Sequence, residues 1–455
     1  MAGAPPPRLS FDNTPPDIIA LILHSLLAPP PMVGETRSVT YSRLTPDMPW
    51  FDFTRSRRGL YSMCLVSRRL SAMACPLLYR VVPLGDEREM LLFFRTLLGN
   101  PRVGQYTRYV ACHITLTAPS VIQKVYDLFH PILGNVLTTI AHMLERIVLT
   151  PAPYHMLSML LRLLSRLEKF DSMPEMLFCH VLMHLAKVET VLLRIPCGDN
   201  RQYTQLCTEI QTSRFEYTHT LLLQGDPDIP ENSDPIEWGC RPHHYTPLFA
   251  SFPNLVNLEV SSDLGPWYDT SLPSGIRRIC LYNSGASPKD LGDLVLNAPK
   301  LEILYMTPNY MAGHTYDVDP GFSIALTNLT DLRNLNVSWT CLESERLTLL
   351  ADMQSLRTLH IQMDVLYGTK LANFGTPLID LLPPNLVELF VKEWRRTTRK
   401  PFSVNIFTQF ACDVRKRLHD LQEVVLQCHT PWHKGLEREV KSMFLEQGVK
   451  FSVEA

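Results

Sequence analysis

One short phrase returns along most of this chain: an apolar residue, two residues of any kind, an apolar residue, one residue, an apolar residue. It is clearest in "FPNLVNLEV" (Leu255, Leu258, Val260), "LPSGIRRICL" (Ile276, Ile279, Leu281) and "APKLEILYM" (Leu301, Leu304, Met306). "LTDLRNLNV", "MQSLRTLHI", "LPPNLVELFV" and "LHDLQEVVL" carry it on from Leu332, Leu356, Leu386 and Leu421. Weaker copies precede them, starting at Thr107, Leu144, Leu167, Val188 and Thr218. In a chain that is 45% hydrophobic the spacing alone decides nothing. Leucine dominates the strong copies, proline or asparagine often stands just upstream, and helix-like stretches such as "MLSMLLRLLSRL" and "SPKDLGDLVLNA" fall between them.

The alternating end of the phrase can lie as a short strand with its leucines on one side, and the following helix can cover that side. One such unit cannot bury its own apolar face, but a stack shares a continuous core. The copies recur about every 28 to 29 residues, within the range of leucine-rich repeats. The 36 prolines against 20 glycines suit many short elements with many joints. A doubly wound sheet would also alternate strand and helix, but it would need longer apolar strands and a glycine-rich turn, and neither G-x-G-x-x-G nor G-x-x-x-x-G-K occurs. At the end, "KGLEREVKSMFLEQ" has helical spacing and "GVKFSVEA" alternates, as a closing cap would.

Composition narrows the function. Lys plus Arg (43) balance Asp plus Glu (45), so no global field draws in nucleic acid or an anionic membrane. Basic runs at Arg55, Arg57 and Arg58, in "KEWRRTTRK" and in "VRKR" read as solvated faces. The 11 cysteines form no C-x-x-C and the N-terminus lacks the look of a signal peptide, so a soluble cytoplasmic or nuclear protein with reduced thiols is expected. Cys240, His243 and His244, and likewise Cys428, His429 and His433, fall short of four zinc ligands. A metal-dependent hydrolase would need one of these sets to be completed. With no G-x-S-x-G, H-E-x-x-H or kinase signature, neither an enzyme site nor a cofactor or metal is expected.

The N-terminal part reads differently. In "NTPPDIIALILHSLL", Thr14 can cap a helix, Pro15 suits its first position and Asp17 stands where a capping-box acid belongs. Further on, "LYSMCLVSRRLSAMACPLLYR" reads as a helix from Gly59, broken at Cys75-Pro76, with apolar residues on two sides where a surface helix needs one stripe. Together these segments resemble an F-box, particularly the F-box-like segment of fungal proteins. Pro16, Asp17, Ile18, Ile19, Ile22 and Leu26 match its first half; Leu60, Leu65, Val66, Ser67, Arg68, Leu70, Leu77, Leu78, Tyr79 and Arg80 match its second. "DEREMLLFFRTLLGNPRVGQYTRYV" looks like the usual bridge from an F-box into leucine-rich repeats.

The resemblance implies a three-helix unit with one face packed internally and the other docked on the adaptor of an SCF-type ubiquitin ligase, through Pro16, Ile19, Ile22, Leu23, Leu26, Leu65, Val66 and Leu70. It departs from the family in two ways: Leu70 stands where a Trp is usual, and residues 28–58 replace a short turn. That insertion, rich in Pro, Arg and Ser, is expected to be a surface loop, and Trp50, Phe51 and Phe53 could fold back over the docking face.

The expected fold is therefore α/β: a flexible tail over residues 1–11, an F-box-like domain over 12–84 with its inserted loop, and an irregular leucine-rich-repeat solenoid over 85–455, with short parallel strands, outer helices and a cap. The residues between or after the last apolar positions would face the concave side and bind a protein substrate: Glu259, Tyr282, Tyr305, Asn336, His360 and Phe390. The expected function is a non-catalytic substrate receptor of an SCF-type ligase, whose partners are the adaptor and a protein substrate, with no nucleic acid and no membrane. The alternative is a repeat scaffold with a vestigial F-box.

Overall fold

The computed structural model describes residues 14–25, 48–84, 87–112, 185, 187–195, 214–225, 245–261, 271–284, 288–308, 320–337, 347, 349–367, 376–393, 400–428 and 432–454. The chain divides into two compact units, Met1–Ile114 with Leu177–Leu192, and Thr115–Met176 with Leu193–Ala455. The division expected after residue 84 thus falls inside the first unit. The tail over residues 1–11 and the repeat copies at Leu144 and Leu167 lie outside the described residues.

The first unit opens with three helices, α1 (Pro16–Ser25), α2 (Met48–Val66) and α3 (Arg68–Leu78). Helix α1 starts one residue later than its sequence suggests. The Pro15 carbonyl accepts from the Ile18 and Ile19 amides, and Pro16, not Pro15, takes the first helical position, where a missing N–H costs nothing. The second correction concerns the insertion. Its last part, from Met48 to Arg58, is the beginning of α2 and not loop. Pro49 sits in the first turn, where proline is tolerated, and Gly59 is carried in the helix interior. Arg57 anchors this extension by donating to the Val81 carbonyl (3.1 Å).

The third correction is the helix break. It falls at Ser67, and α3 runs on through Pro76. Ser67 is extended (φ −154°, ψ 159°) and its hydroxyl accepts from the Leu70 amide (3.2 Å), so a donor left over at the helix start is satisfied. Ser67→Ala is expected to cost about 1 kcal/mol, read as a lower denaturant midpoint for the intact chain; no change would mean that the cap carries no stability.

Strand β1 (Val81–Leu84) follows, then α4 (Glu87–Gly99), α5 (Arg102–Tyr106), β2 (Tyr109–Cys112) and β3 (Thr190–Ile195), with the strands in chain order and β1 parallel to β2. Pro83 lies within β1. Proline is tolerated there because, among the described residues, β1 has a neighbour strand on one side only.

The second unit is a parallel α/β stack of solenoid type. Its strands are β4 (Thr220–Gly225), β5 (Asn257–Ser261), β6 (Arg278–Ser284), β7 (Ile303–Pro308), β8 (Asn334–Val337), β9 (Thr358–Gln362), β10 (Glu388–Lys392), β11 (Glu423–Gln427) and β12 (Lys450–Glu454), neighbours in that order. Between them lie α6 (Tyr245–Ala250), α7 (Pro288–Leu296), α8 (Pro320–Thr327), a 3-10 turn (Leu350–Asp352), α9 (Met363–Tyr367), α10 (Leu378–Leu381), α11 (Lys400–Arg417) and α12 (Lys434–Glu446). Each repeat copy among the described residues is a strand, and from β4 to β12 the strands share one register. Leu258, Ile279, Leu304, Leu335, Leu359, Leu389 and Val424 form one buried row, and Val260, Leu281, Met306, Val337, Ile361, Val391 and Leu426 the next.

Two devices repeat from strand to strand. One carbonyl just before each strand accepts two amides of the next unit: Val256 from Arg277 and Arg278, Arg277 from Glu302 and Ile303, Arg333 from Arg357 and Thr358. The residue before the first apolar position also reaches back. Asn254 donates to the Glu216 carbonyl, Ser355 to Thr330 and Asn385 to Gln354. This explains the asparagines of the phrase: a short side chain with a donor bridges adjacent turns. Helices α7 and α8 meet at Gly292, where a Cβ would stand 3.4 Å from the Phe322 backbone.

The last helix and strand close the stack as the sequence suggests. Phe407, Phe410, Trp432, Phe444 and Phe451 form one aromatic cluster there. The "VRKR" run is structural. Arg415 donates to the carbonyls of Gln447, Gly448, Leu418 and His419, and Arg417 to that of Ile379.

Candidate functional site

Two surfaces carry the residues that the sequence singles out. The first is on the three helices. Ile19 and Leu23 of α1, Leu60 of α2, and Leu70, Ala74 and Leu78 of α3 form one buried cluster, with Met63, Cys64, Met73, Leu77 and Tyr79 packed against it. Helix α1 keeps Ile18 (47% exposed), Leu21 (67%) and Ile22 (38%) outside, and α2 keeps Tyr61 (58%), Leu65 (70%) and Val66 (61%) outside. The two stripes are thus real, and they divide the predicted docking residues. Pro16, Ile22, Leu65 and Val66 are exposed. Ile19, Leu23 and Leu70 are at most 1% exposed and serve the interior. This corrects their assignment, since a side chain already buried in its own unit offers nothing to a partner. Leu26 lies outside the described residues, and Trp50, Phe51 and Phe53 are placed only as helical backbone at the start of α2.

Ile18, Leu21 and Tyr61 were missed as candidates. The signal was present: Ile18 and Leu21 stand three apart, and Tyr61 and Leu65 four apart, which puts each pair on one helix flank. Six large exposed apolar side chains on two helices that share one buried cluster are more than the scattered singles of an ordinary surface.

The second surface is the outer face of the second unit's strands. Register places Glu259, Cys280, Tyr305, Asn336, His360, Phe390 and Val425 in one row across β5 to β11. Tyr282 stands one step further along, level with Ser261. The six predicted substrate residues are therefore brought to one face, but they differ in exposure. Tyr305, Asn336, His360 and Phe390 are half-buried, whereas Glu259 (6%) and Tyr282 (8%) are enclosed. Tyr282 and Tyr305 meet at 5.0 Å, and His360 stacks on Phe390 at 5.0 Å with 17° between the rings. Arg278 bridges Glu259 Oε1 (3.1 Å) and donates through Nε to the Cys280 thiol (3.3 Å).

Burial sets the protonation of this row. It pushes the Glu259 carboxyl up to about 7, with Arg278 pulling the other way, and raises the Cys280 thiol, with Arg278 again opposing. It drives His360 down to about 4, so this imidazole is neutral at physiological pH. No protein-family model matches the chain, and no curated protein matches it. The two surfaces must therefore be read from their own chemistry. Both present apolar and aromatic side chains with few charges, which suits contact with protein.

Other chemistry is thin. Among the described residues no cluster of His, Cys, Asp and Glu could hold a metal ion. Cys240, His243, His244 and His429 lie outside them. Cys428 is buried, and the His433 ring accepts from the Gly435 amide (3.3 Å), which caps α12. Among the described residues no helix is long and apolar enough to cross a membrane.

Proposed function

We propose that this chain is a non-catalytic substrate receptor: an F-box-like helical unit docks the adaptor of an SCF-type ubiquitin ligase, and a leucine-rich-repeat face holds a protein substrate. The observation that carries the reading is the outward apolar stripe of α1 and α2. Those side chains lie on regular helices whose inner faces are already filled, so they cannot turn inward. Leaving them in water forgoes about 1.5–3 kcal/mol of burial for each large residue, which a partner would recover. The row from Glu259 to Phe390 offers aromatic anchors on a rigid sheet, as a substrate-holding face requires.

The test is affinity capture of the intact chain from cells. Capture of the adaptor is expected. Leu65→Asp, and separately Ile22→Asp, should reduce it by at least a hundredfold, because each drives a charge into the apolar contact. Both residues are exposed, so thermal stability should change by less than about 0.5 kcal/mol. Undiminished capture by both variants would remove the helical face from the mechanism. Failure of the unaltered chain to capture the adaptor, with other proteins still retained after deletion of residues 12–84, would favour the plain scaffold.

A further inference from the structure

Among the described residues one enclosed carboxylate oxygen on the strand face lacks a hydrogen-bond donor. Glu259 Oε2 is enclosed and has no hydrogen-bond partner, while Oε1 is held by Arg278 at 3.1 Å. An enclosed carboxylate oxygen without a donor has lost its hydration without replacement, and native proteins leave few such groups without a reason. The rest of the neighbourhood is well ordered. Cys280 takes the Arg278 Nε–H and interacts with the Tyr282 hydroxyl, and the Tyr282 ring leans on Tyr305. Only the second oxygen of Glu259 is left over. It lies in the same row as the half-buried Tyr305, Asn336, His360 and Phe390.

We propose that the outer face of β5 to β7 is a subsite for a lysine or arginine side chain of a bound polypeptide, with Glu259 Oε2 as its acceptor. This rests on the reading of that face as the substrate surface. A carboxylate has room for two cations, one on each oxygen. The incoming charge would sit about 3 Å from Glu259 and further from Arg278, so attraction exceeds repulsion. The aliphatic stem of such a side chain would lie along the Tyr282 and Tyr305 rings, whose faces attract a cation. Because burial already holds the carboxyl near neutrality, an arriving cation also fixes its ionised form. A neutral amide would satisfy the oxygen but gain neither the charge nor the ring contact. The oxygen is closed off in the free protein, so entry requires a side-chain rearrangement at the Tyr282–Tyr305 pair, the kind of rotamer change common on binding.

The experiment uses the full chain and a pool of short random peptides, one half with every lysine acetylated and its arginines replaced by citrulline. The unaltered chain should retain peptides from the unmodified half at least tenfold more strongly, with Lys or Arg enriched at one position. Glu259→Gln, which keeps shape and removes charge, should abolish that enrichment while leaving aromatic preferences in place. Glu259→Asp, which keeps charge and withdraws it by one methylene, should weaken it and serves as the second reading if Glu259→Gln folds poorly. Equal retention of the two halves, or enrichment that survives both substitutions, overturns the proposal and leaves the oxygen to water alone. Adaptor capture measured on the same samples separates the two ideas. Loss of the adaptor with peptide preference intact sinks the ligase role and keeps this subsite; the reverse sinks the subsite alone.

Discussion

Phe444→Ala is expected to destabilise the second unit by about 3–5 kcal/mol, as truncation of a fully buried phenylalanine does. Phe444 is fully buried, stacks on Phe451 at 4.8 Å with 11° between the rings, and meets Phe410 edge-on at 5.6 Å. It joins helix α12 to strand β12, the last two elements of the stack. A stack transmits stability between neighbours, so a loosened end also exposes the apolar rows behind it. The measurement is urea unfolding of the intact chain, followed by tryptophan fluorescence and by far-ultraviolet circular dichroism. Leu445→Ala provides the contrast, because Leu445 is 71% exposed and its loss should change stability by less than about 0.5 kcal/mol. If Phe444→Ala costs under about 1 kcal/mol, or matches Leu445→Ala, the cap does not close the stack.

That cap was legible in the sequence, and the reason is general. Helical spacing in "KGLEREVKSMFLEQ" and alternation after Gly448 are local patterns, and each follows from which side chains must face one core. The strands were legible for the same reason. The phrase starting at Leu255, Ile276 or Leu301 fixes not only a strand but its register, since only one alignment buries every leucine row. The row of candidate substrate residues followed from that alignment.

What was not legible was set by partners far along the chain. Met48–Arg58 is helical and is tied by Arg57 to the Val81 carbonyl, a partner that proline-rich, arginine-rich composition does not reveal. The helix break moved from Pro76 to Ser67 because a proline in the last turn forfeits one hydrogen bond, whereas Ser67 supplies one at a helix start. On α1 the run of aliphatic residues marks a helix but not which of its residues face inward. Ile19 and Leu23 went in and Ile18 and Leu21 stayed out because α3 brings Leu70 and Ala74 to that side. The isolation of Glu259 Oε2 could not be read from the sequence at all, because it depends on side-chain geometry across three strands.

Protonation of His360 alone should remove about 3 kcal/mol of the second unit's stability between neutral pH and pH 4, a loss that Glu259 offsets in the unaltered chain. The folded protein holds His360 near 4 and the unfolded chain near 6.5, so the unfolded state binds the extra proton between those values. Stability is then fully present above 6.5 and is lost as pH falls through that window. The cause is burial alone: the row neighbours Asn336 and Phe390 carry no charge to compensate. Glu259 acts in the opposite sense. Its folded value near 7 lies above the unfolded 4.5, so its contribution is complete below 4.5 and disappears as pH rises through 7. Between about 4.5 and 6.5 the two slopes cancel, and the unaltered chain should show a nearly flat stability there. His360→Gln should expose the Glu259 slope, with stability falling as pH rises; Glu259→Gln should expose the His360 slope, with stability rising. The residues stand on β5 and β9, with three strands between them, so their effects should add in the double variant. Parallel pH profiles for both single variants and the parent would show that neither group titrates with the shift that its burial demands.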